Sequence, residues 1–153
     1  MSAINALVLG LKRVVMNPNQ PCPCGAGRKF KQCCRTLHRG AVAKSPEVLM
    51  RSRYAAYAVG EADYILDTTH PLGPQHQPDR SRWLADVRSF SEGTTFAGLE
   101  VLEANAPEGD EGWVTFRASL LQGDQDVSFT ERSRFLRHEG AWRYHSGIPA
   151  SAT

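Results

Sequence analysis

Four cysteines fall within thirteen residues, in the run Pro21-Cys22-Pro23-Cys24-Gly25-Ala26-Gly27-Arg28-Lys29-Phe30-Lys31-Gln32-Cys33-Cys34, and the chain has no other. A Cys-x-Cys pair, eight intervening residues and an adjacent Cys-Cys pair put four thiolates on one short loop. That is the ligand count of a closed structural zinc site, with no position left for a substrate. Other readings fit less well. Two disulfides inside so short a run would cross-link nothing beyond it and need an oxidising compartment. A thiol redox site ordinarily carries Cys-x-x-Cys at a helix start, and a Cys33–Cys34 disulfide would be strained. His38, one helical turn beyond Cys34, stays open as a replacement for one sulfur. Pro21, Pro23, Gly25 and Gly27 let the backbone turn tightly around an ion. Arg28, Lys29, Lys31 and Arg35 would offset the surplus negative charge of four thiolates on one divalent cation. Metal binding, with zinc as the cation, is the chemistry expected here, and it points to recognition rather than catalysis.

A second set of residues is polar where the pattern asks for apolar. Period-two alternation over residues 127–138 sets Phe129, Glu131, Ser133 and Phe135 on one face, with Thr130, Arg132 and Arg134 on the other. An ionised carboxylate on the apolar face needs a partner. Leu49, Arg53 and Tyr57 follow one another at four-residue spacing, so Arg53 also points at the core. The expectation is an Arg53–Glu131 ion pair, with Tyr54, Tyr57, Ser133 and Tyr144 supplying the remaining hydrogen bonds. The same residues allow an enzymatic reading, in which Glu131 with His70 and Tyr64 abstracts a proton inside a cavity. Neither a second carboxylate at a clear spacing, a nucleophile elbow nor a phosphate-cradling glycine loop accompanies them. His70, just before Pro71 at a helix end, also suits a cap or a packing role. No residue is assigned a catalytic role.

The elements that position these residues are legible in outline. Ser45-Pro46-Glu47 is a strong helix start, and a helix Pro46–Val59 ends at Gly60. Residues 61–69 make a second short helix closed by His70-Pro71, and 72–78 is a proline-rich loop. Asp79 or Ser81 caps a third helix through Trp83, Leu84, Val87 and Phe90, ended by Gly93. Strands are expected over 96–105, 113–121, 127–138 and 141–146, with turns at 107–112, 122–125 and 139–140. In the second of these strands Val114, Phe116, Ala118 and Leu120 share one face. Helices first and an antiparallel meander last is an α+β arrangement, with a curved sheet wrapped over the helices.

At 153 residues, 41% hydrophobic and 22% charged, the chain is one globular body with an appendage. The net charge of +2 hides an asymmetry: residues 1–46 hold eight Lys/Arg and no acid, and the remainder holds ten Arg against sixteen Asp/Glu. A basic segment with its own metal site on an acidic body reads as a recognition element for an anionic surface. That the two parts simply attract each other stays open. Only Phe30 interleaves with the cations of the loop, so charge leads and base stacking is weak. No ββα finger or two-helix reading unit follows the cysteines, which argues against sequence-specific DNA reading. The apolar run at residues 4–11 precedes its charges, the wrong polarity for a secretory signal, and is too short to span a bilayer. Residues 1–15 are either an extension, frayed helix or disordered arm, or a stretch upstream of a true start at Met16. A reducing cytoplasm, with no membrane association, is the expected setting.

The cysteine run resembles the SEC-C motif, the small zinc module at the end of the SecA translocase motor and on many other bacterial proteins. Ala26 stands where serine is common, and Cys34 where either His or Cys occurs. Leu49-Met50-Arg51-Ser52-Arg53-Tyr54-Ala55-Ala56-Tyr57, Ala62-Asp63-Tyr64-Ile65, Thr69-His70-Pro71, Glu131-Arg132-Ser133-Arg134-Phe135 and Gly140-Ala141-Trp142-Arg143-Tyr144 are similar to the bacterial YchJ family. The resemblance implies a SEC-C-like knuckle over residues 16–40 and a nuclear transport factor 2-like (cystatin-like) cone over 45–148. It implies no particular activity. The reading that follows is a zinc-binding adaptor whose basic knuckle engages an acidic protein or a ribonucleoprotein. A small-molecule carrier or enzyme built on the cone cavity is the alternative, and a non-specific nucleic-acid binder a third. Related cones often dimerise through the open sheet face, and Arg117, Arg132 and Arg134 neither require nor exclude a homodimer here.

Overall fold

The side chain of Ser45 accepts a hydrogen bond from the Val48 N–H, Pro46 fills the first helical position, and Gly60 closes the helix in the left-handed region at φ 84°. These signals delimit the longest helix in a computed structural model that describes residues 16–151. The expectations for residues 1–15 lie outside the described residues. In chain order a 3-10 turn, Phe30–Gln32, precedes α1 (Cys34–His38), α2 (Pro46–Val59), α3 (Ala62–Asp67) and α4 (Arg80–Glu92). Five strands follow: β1 (Thr95–Ala104), β2 (Glu111–Gln122), β3 (Gln125–Asp126), β4 (Phe129–His138) and β5 (Ala141–Pro149). Asp79 caps α4 by accepting from the Arg82 N–H, and Gly93 ends it. Among the described residues no helix is long and apolar enough to cross a membrane.

The sheet is antiparallel throughout, in the order β1-β2-β4-β5, with the short β3 paired to β2. Register shifts in β1 near Gly98 and Glu103, and between Arg134 and Phe135 of β4 against β5, bend the sheet into a concave wall. On β2 the expected face is the buried one: Val114, Phe116, Ala118 and Leu120 all point into the core. They meet Leu49, Met50 and Tyr54 of α2 together with Phe135, Trp142 and Tyr144. A second core of Ala56, Ile65, Leu66, Trp83 and Val87 holds α2, α3 and α4 to one another.

Two boundaries differ from the sequence reading for one physical reason. The second helix stops at Asp67 because the next residues pair with β5: the Tyr144 N–H donates to the Thr68 carbonyl at 2.8 Å and the His70 N–H to the Tyr144 carbonyl at 2.8 Å. β5 in turn runs past Ser146 to Pro149, because Ser133, Arg132 and Glu131 continue the ladder against Gly147, Ile148 and Pro149.

The knuckle is also more closely tied to the body than an appendage would be. Phe30 and three of the cysteines pack on Ala55 of α2, flanked by Val59 and Leu99. Arg51 of α2 donates to the Cys24 carbonyl at 2.8 Å and pairs with Glu47 at 3.0 Å. His38 reaches the Ser52 carbonyl through Nε2 at 2.8 Å and packs against the Tyr64 ring, 4.8 Å between centroids. The cysteine loop and the cone thus share one helix.

Candidate metal centre and cone cavity

All four sulfurs come within 4.8 Å of one another. Two of the separations are 3.7 Å, Cys24 to Cys33, and 3.9 Å, Cys33 to Cys34. A tetrahedron with sulfur about 2.3 Å from zinc has edges of about 3.8 Å, so these spacings match a four-sulfur ion site. They are far too long for a disulfide, and all four cysteines are free. Cys24 and Cys34 are fully buried and Cys22 nearly so. Gly25 and Gly27 hold φ 77° and 85°, the left-handed turns that let the loop close around the sulfurs.

The donor chemistry agrees. Hydrogen bonds from Cys24 and Cys34 hold the Cys22 thiol down to about 2, while the bond with Cys22 pushes Cys24 up to about 12 and pushes Cys34 up as well. Four thiolates this close together would repel one another unless a cation lay between them. Cys22, Cys24, Cys33 and Cys34 could therefore hold a metal ion, which would supply a structural cross-link and no open coordination position. His38 stays outside the set, its Nε2 committed to Ser52.

The cations of the loop face solvent to different degrees. Arg28, Lys29 and Lys31 are exposed and Arg35 is half-buried. Among the described residues none of the four forms a salt bridge. Among the described residues the two parts of the chain meet through sulfur and aromatic packing and through the Arg51 and His38 hydrogen bonds.

The concave face of the sheet, α2 and α4 enclose a cavity of about 160 Å³. Arg53, Tyr54, Tyr57, Glu131, Ser133 and Tyr144 line it, as the sequence pattern suggested; His70 does not. His70 packs instead against His138 and His145, ring centroids 5.1 and 5.4 Å away, and its Nδ1 accepts from the Leu72 N–H. Burial, followed by those two histidines and Arg143, lowers its pKa. The hydroxyl of Tyr64 is engaged with Ser52 at 2.7 Å. The proton-abstracting trio of Glu131, His70 and Tyr64 is thereby broken up.

The expected Arg53–Glu131 ion pair also does not form. Nη1 of Arg53 donates to the Ile65 carbonyl at 3.0 Å, to Thr68 at 2.7 Å and to Thr69 at 3.2 Å. Its guanidinium lies 4.8 Å from the centroid of the Tyr144 ring. Tyr144 stands between the two charges and donates its hydroxyl to Oε2 of Glu131 at 3.1 Å; Ser133 donates to the same oxygen at 2.5 Å. Burial, with the Glu131 charge second, pushes the Tyr144 phenol up, so it stays a donor. Arg53 is held below its ordinary value by burial and is only 6% exposed.

Sequence reasoning overlooked Gly147, Gln75 and the aromatic wall. Gly147 sits opposite Ser133 in the ladder, and a β-carbon there would collide with the Glu131 carboxylate. Gln75, from the proline-rich loop, reaches the Tyr144 hydroxyl at 3.4 Å. Phe90, Phe96, Phe116 and Phe129 complete the lining. Only the ladder register could have pointed to Gly147. Gly147→Ala is expected to cost about 1–3 kcal/mol in a denaturant titration, as overpacking does. In a Glu131→Ala background most of that cost should vanish, because the colliding group is gone.

The concave sheet, the helices that fill it and the sulfur loop together define an NTF2-like cone fronted by a SEC-C knuckle. Residues 45–147 match the family described as YchJ, middle NTF2-like domain, and residues 19–35 match the SEC-C motif. A UPF0225 protein of Deinococcus radiodurans is 42% identical over 129 residues, covering 83% of this chain and 88% of that one. A UPF0225 protein of Streptomyces coelicolor is 41% identical over 133 residues, covering 85% and 96%. The solution structure of a SEC-C motif containing protein from Rhodopseudomonas palustris superposes with a TM-score of 0.71 at 36% identity, over 86% of this chain and all of that one. A sec-c motif containing protein from Psychrobacter arcticus shares the fold, with a TM-score of 0.71 at 22% identity over 89% and 86% of the two chains. The chain belongs to the YchJ family of UPF0225 proteins.

Proposed function

We propose that the chain is a zinc-dependent interaction module of the cytoplasm. Zinc on Cys22, Cys24, Cys33 and Cys34 fastens the knuckle to α2, and Arg28, Lys29, Lys31 and Arg35 engage an acidic protein or ribonucleoprotein surface. The observation that carries this reading is that these cations lie on the loop of a four-sulfur site and form no salt bridge among the described residues. Contacts of this kind weaken as salt screens them. Titrating the zinc-loaded chain with poly-L-glutamate and, separately, with ribosomal RNA tests it. Binding to at least one probe should fall about tenfold or more between 50 and 200 mM salt. It should be lost in Arg28→Glu/Lys29→Glu/Lys31→Glu. Equal binding by that variant would remove the proposal, and the preferred probe separates a protein from an RNA partner.

A second reading is favoured by the cavity. Glu131 and Arg53 line one half-open cavity without pairing, a costly arrangement in a purely structural core. On this reading the cone holds a small molecule, and the knuckle braces the helix that forms one of its walls.

A further inference from the structure

The charged groups of the cavity are not equally open to a ligand. Arg53 is 6% exposed, its Nη1 has three acceptors, and the Tyr144 ring lies against its guanidinium. Glu131 is half-buried, and both of its protein donors, Ser133 and Tyr144, share Oε2. Oε1 has no donor among the described residues. The missing side chain at Gly147 leaves room for this carboxylate.

What surrounds the carboxylate is aromatic. Phe116 is the cross-strand partner of Glu131, and Phe129 lies two residues earlier on the same face of β4. The two rings meet edge to face, 5.9 Å between centroids and 72° between planes. Tyr57, Phe90 and Phe96 form a second aromatic group, with centroid separations of 5.5 to 6.5 Å. Phe90 and Phe129, 37% and 40% exposed, carry the apolar lining out to solvent. A carboxylate in an aromatic-lined cavity can hold an organic cation, by ion pairing at the oxygen and by cation–π attraction at the rings.

We propose that the cone cavity binds a small organic ammonium ion, its N–H groups on Glu131 between Phe116 and Phe129 and its apolar body against Tyr57, Phe90 and Phe96. The proposal rests on the cavity reading given above. Size limits the body: a cavity of about 160 Å³ compares with the roughly 150 Å³ that accommodates one benzene ring. One ring with a short chain, or an aliphatic group of that bulk, is the class that fits.

Three probes of one shape test it on the full-length, zinc-loaded chain at neutral pH: 2-phenylethylamine, 2-phenylethanol and 3-phenylpropionate. Affinities come from calorimetry, and the site from amide shifts of Phe116, Phe129 and Tyr144 in nuclear magnetic resonance spectra. The amine should bind about tenfold or more tightly than the alcohol and the acid. Glu131→Gln should remove that preference while leaving the alcohol unchanged. The comparison among probes on the unmodified chain stands even if the variant folds poorly. Tighter binding of the acid, shifting the same amides, would overturn the ammonium assignment and keep the cavity as a ligand site with Arg53 as anchor. Binding of none of the three would overturn both.

Discussion

Cys24→Ser, or removal of the metal by a chelator under reducing conditions, is expected to cost about 3 kcal/mol or more of stability, as loss of structural zinc does. For a chain of this length that corresponds to a melting temperature lower by about 6–12 °C. The reason is where the sulfurs sit. Cys24 is completely buried, and the cysteine loop with Phe30 covers Ala55 of α2 beside Val59 and Leu99. Without a cation the thiols must reprotonate or repel, and the loop no longer has a fixed shape to offer the helix. Arg51 then loses the Cys24 carbonyl and His38 the Ser52 carbonyl. Met50, Arg53, Tyr54 and Tyr57 of the same helix line the cavity, so the loss should spread to it. Scanning calorimetry of the loaded chain, the chelated chain and the Cys24→Ser variant measures this. Three coincident melting curves would show that the loop contributes nothing to the fold.

The second large effect belongs to Arg53. Arg53→Met should cost about 2–4 kcal/mol, because it strips a charged donor from the Ile65 carbonyl and two threonine hydroxyls in a buried setting. Thr68 and Thr69 keep their own bonds to backbone carbonyls, at 2.7 Å to Tyr64 and 2.7 Å to Ile65, which limits the damage. Glu131→Gln should cost less, since glutamine retains an acceptor for Ser133 and Tyr144. The double variant decides how the two charges communicate. With Tyr144 between them, the coupling energy should stay under about 1 kcal/mol. A direct buried ion pair would give a coupling several times larger. Denaturant midpoints of the four proteins supply the cycle.

Much of the fold could be read from local chemistry. Ser45, Pro46 and Gly60 delimit α2 because each satisfies a helix end by its own backbone or side-chain properties, independent of the rest of the chain. The alternation of Val114, Phe116, Ala118 and Leu120 fixes β2 for the same reason. The cysteine cluster was legible because four ligands of one ion must lie close together, and here they lie close in sequence. Periodicity placed Arg53 and Glu131 on facing surfaces but carries no distance. The ring of Tyr144, from a strand later in the chain, fills the gap it could not see. The enzymatic reading set His70 in the cavity beside Glu131; its place at a helix end suited packing, and the pairing with β5 turns it toward His138 and His145. The docking of the knuckle is written only in the small residues Ser52 and Ala55, which let a loop approach a helix and say nothing of which loop.

The claim on which the rest depends is that one divalent metal ion, held by the four sulfurs, fastens the basic loop to α2. Native mass spectrometry of the full-length chain, purified under reducing conditions without added metal, measures it directly. The account predicts one zinc per chain, lost together in Cys22→Ser/Cys24→Ser. A folded protein with all four thiols free and no metal bound, its loop amides still protected from hydrogen exchange, would contradict it.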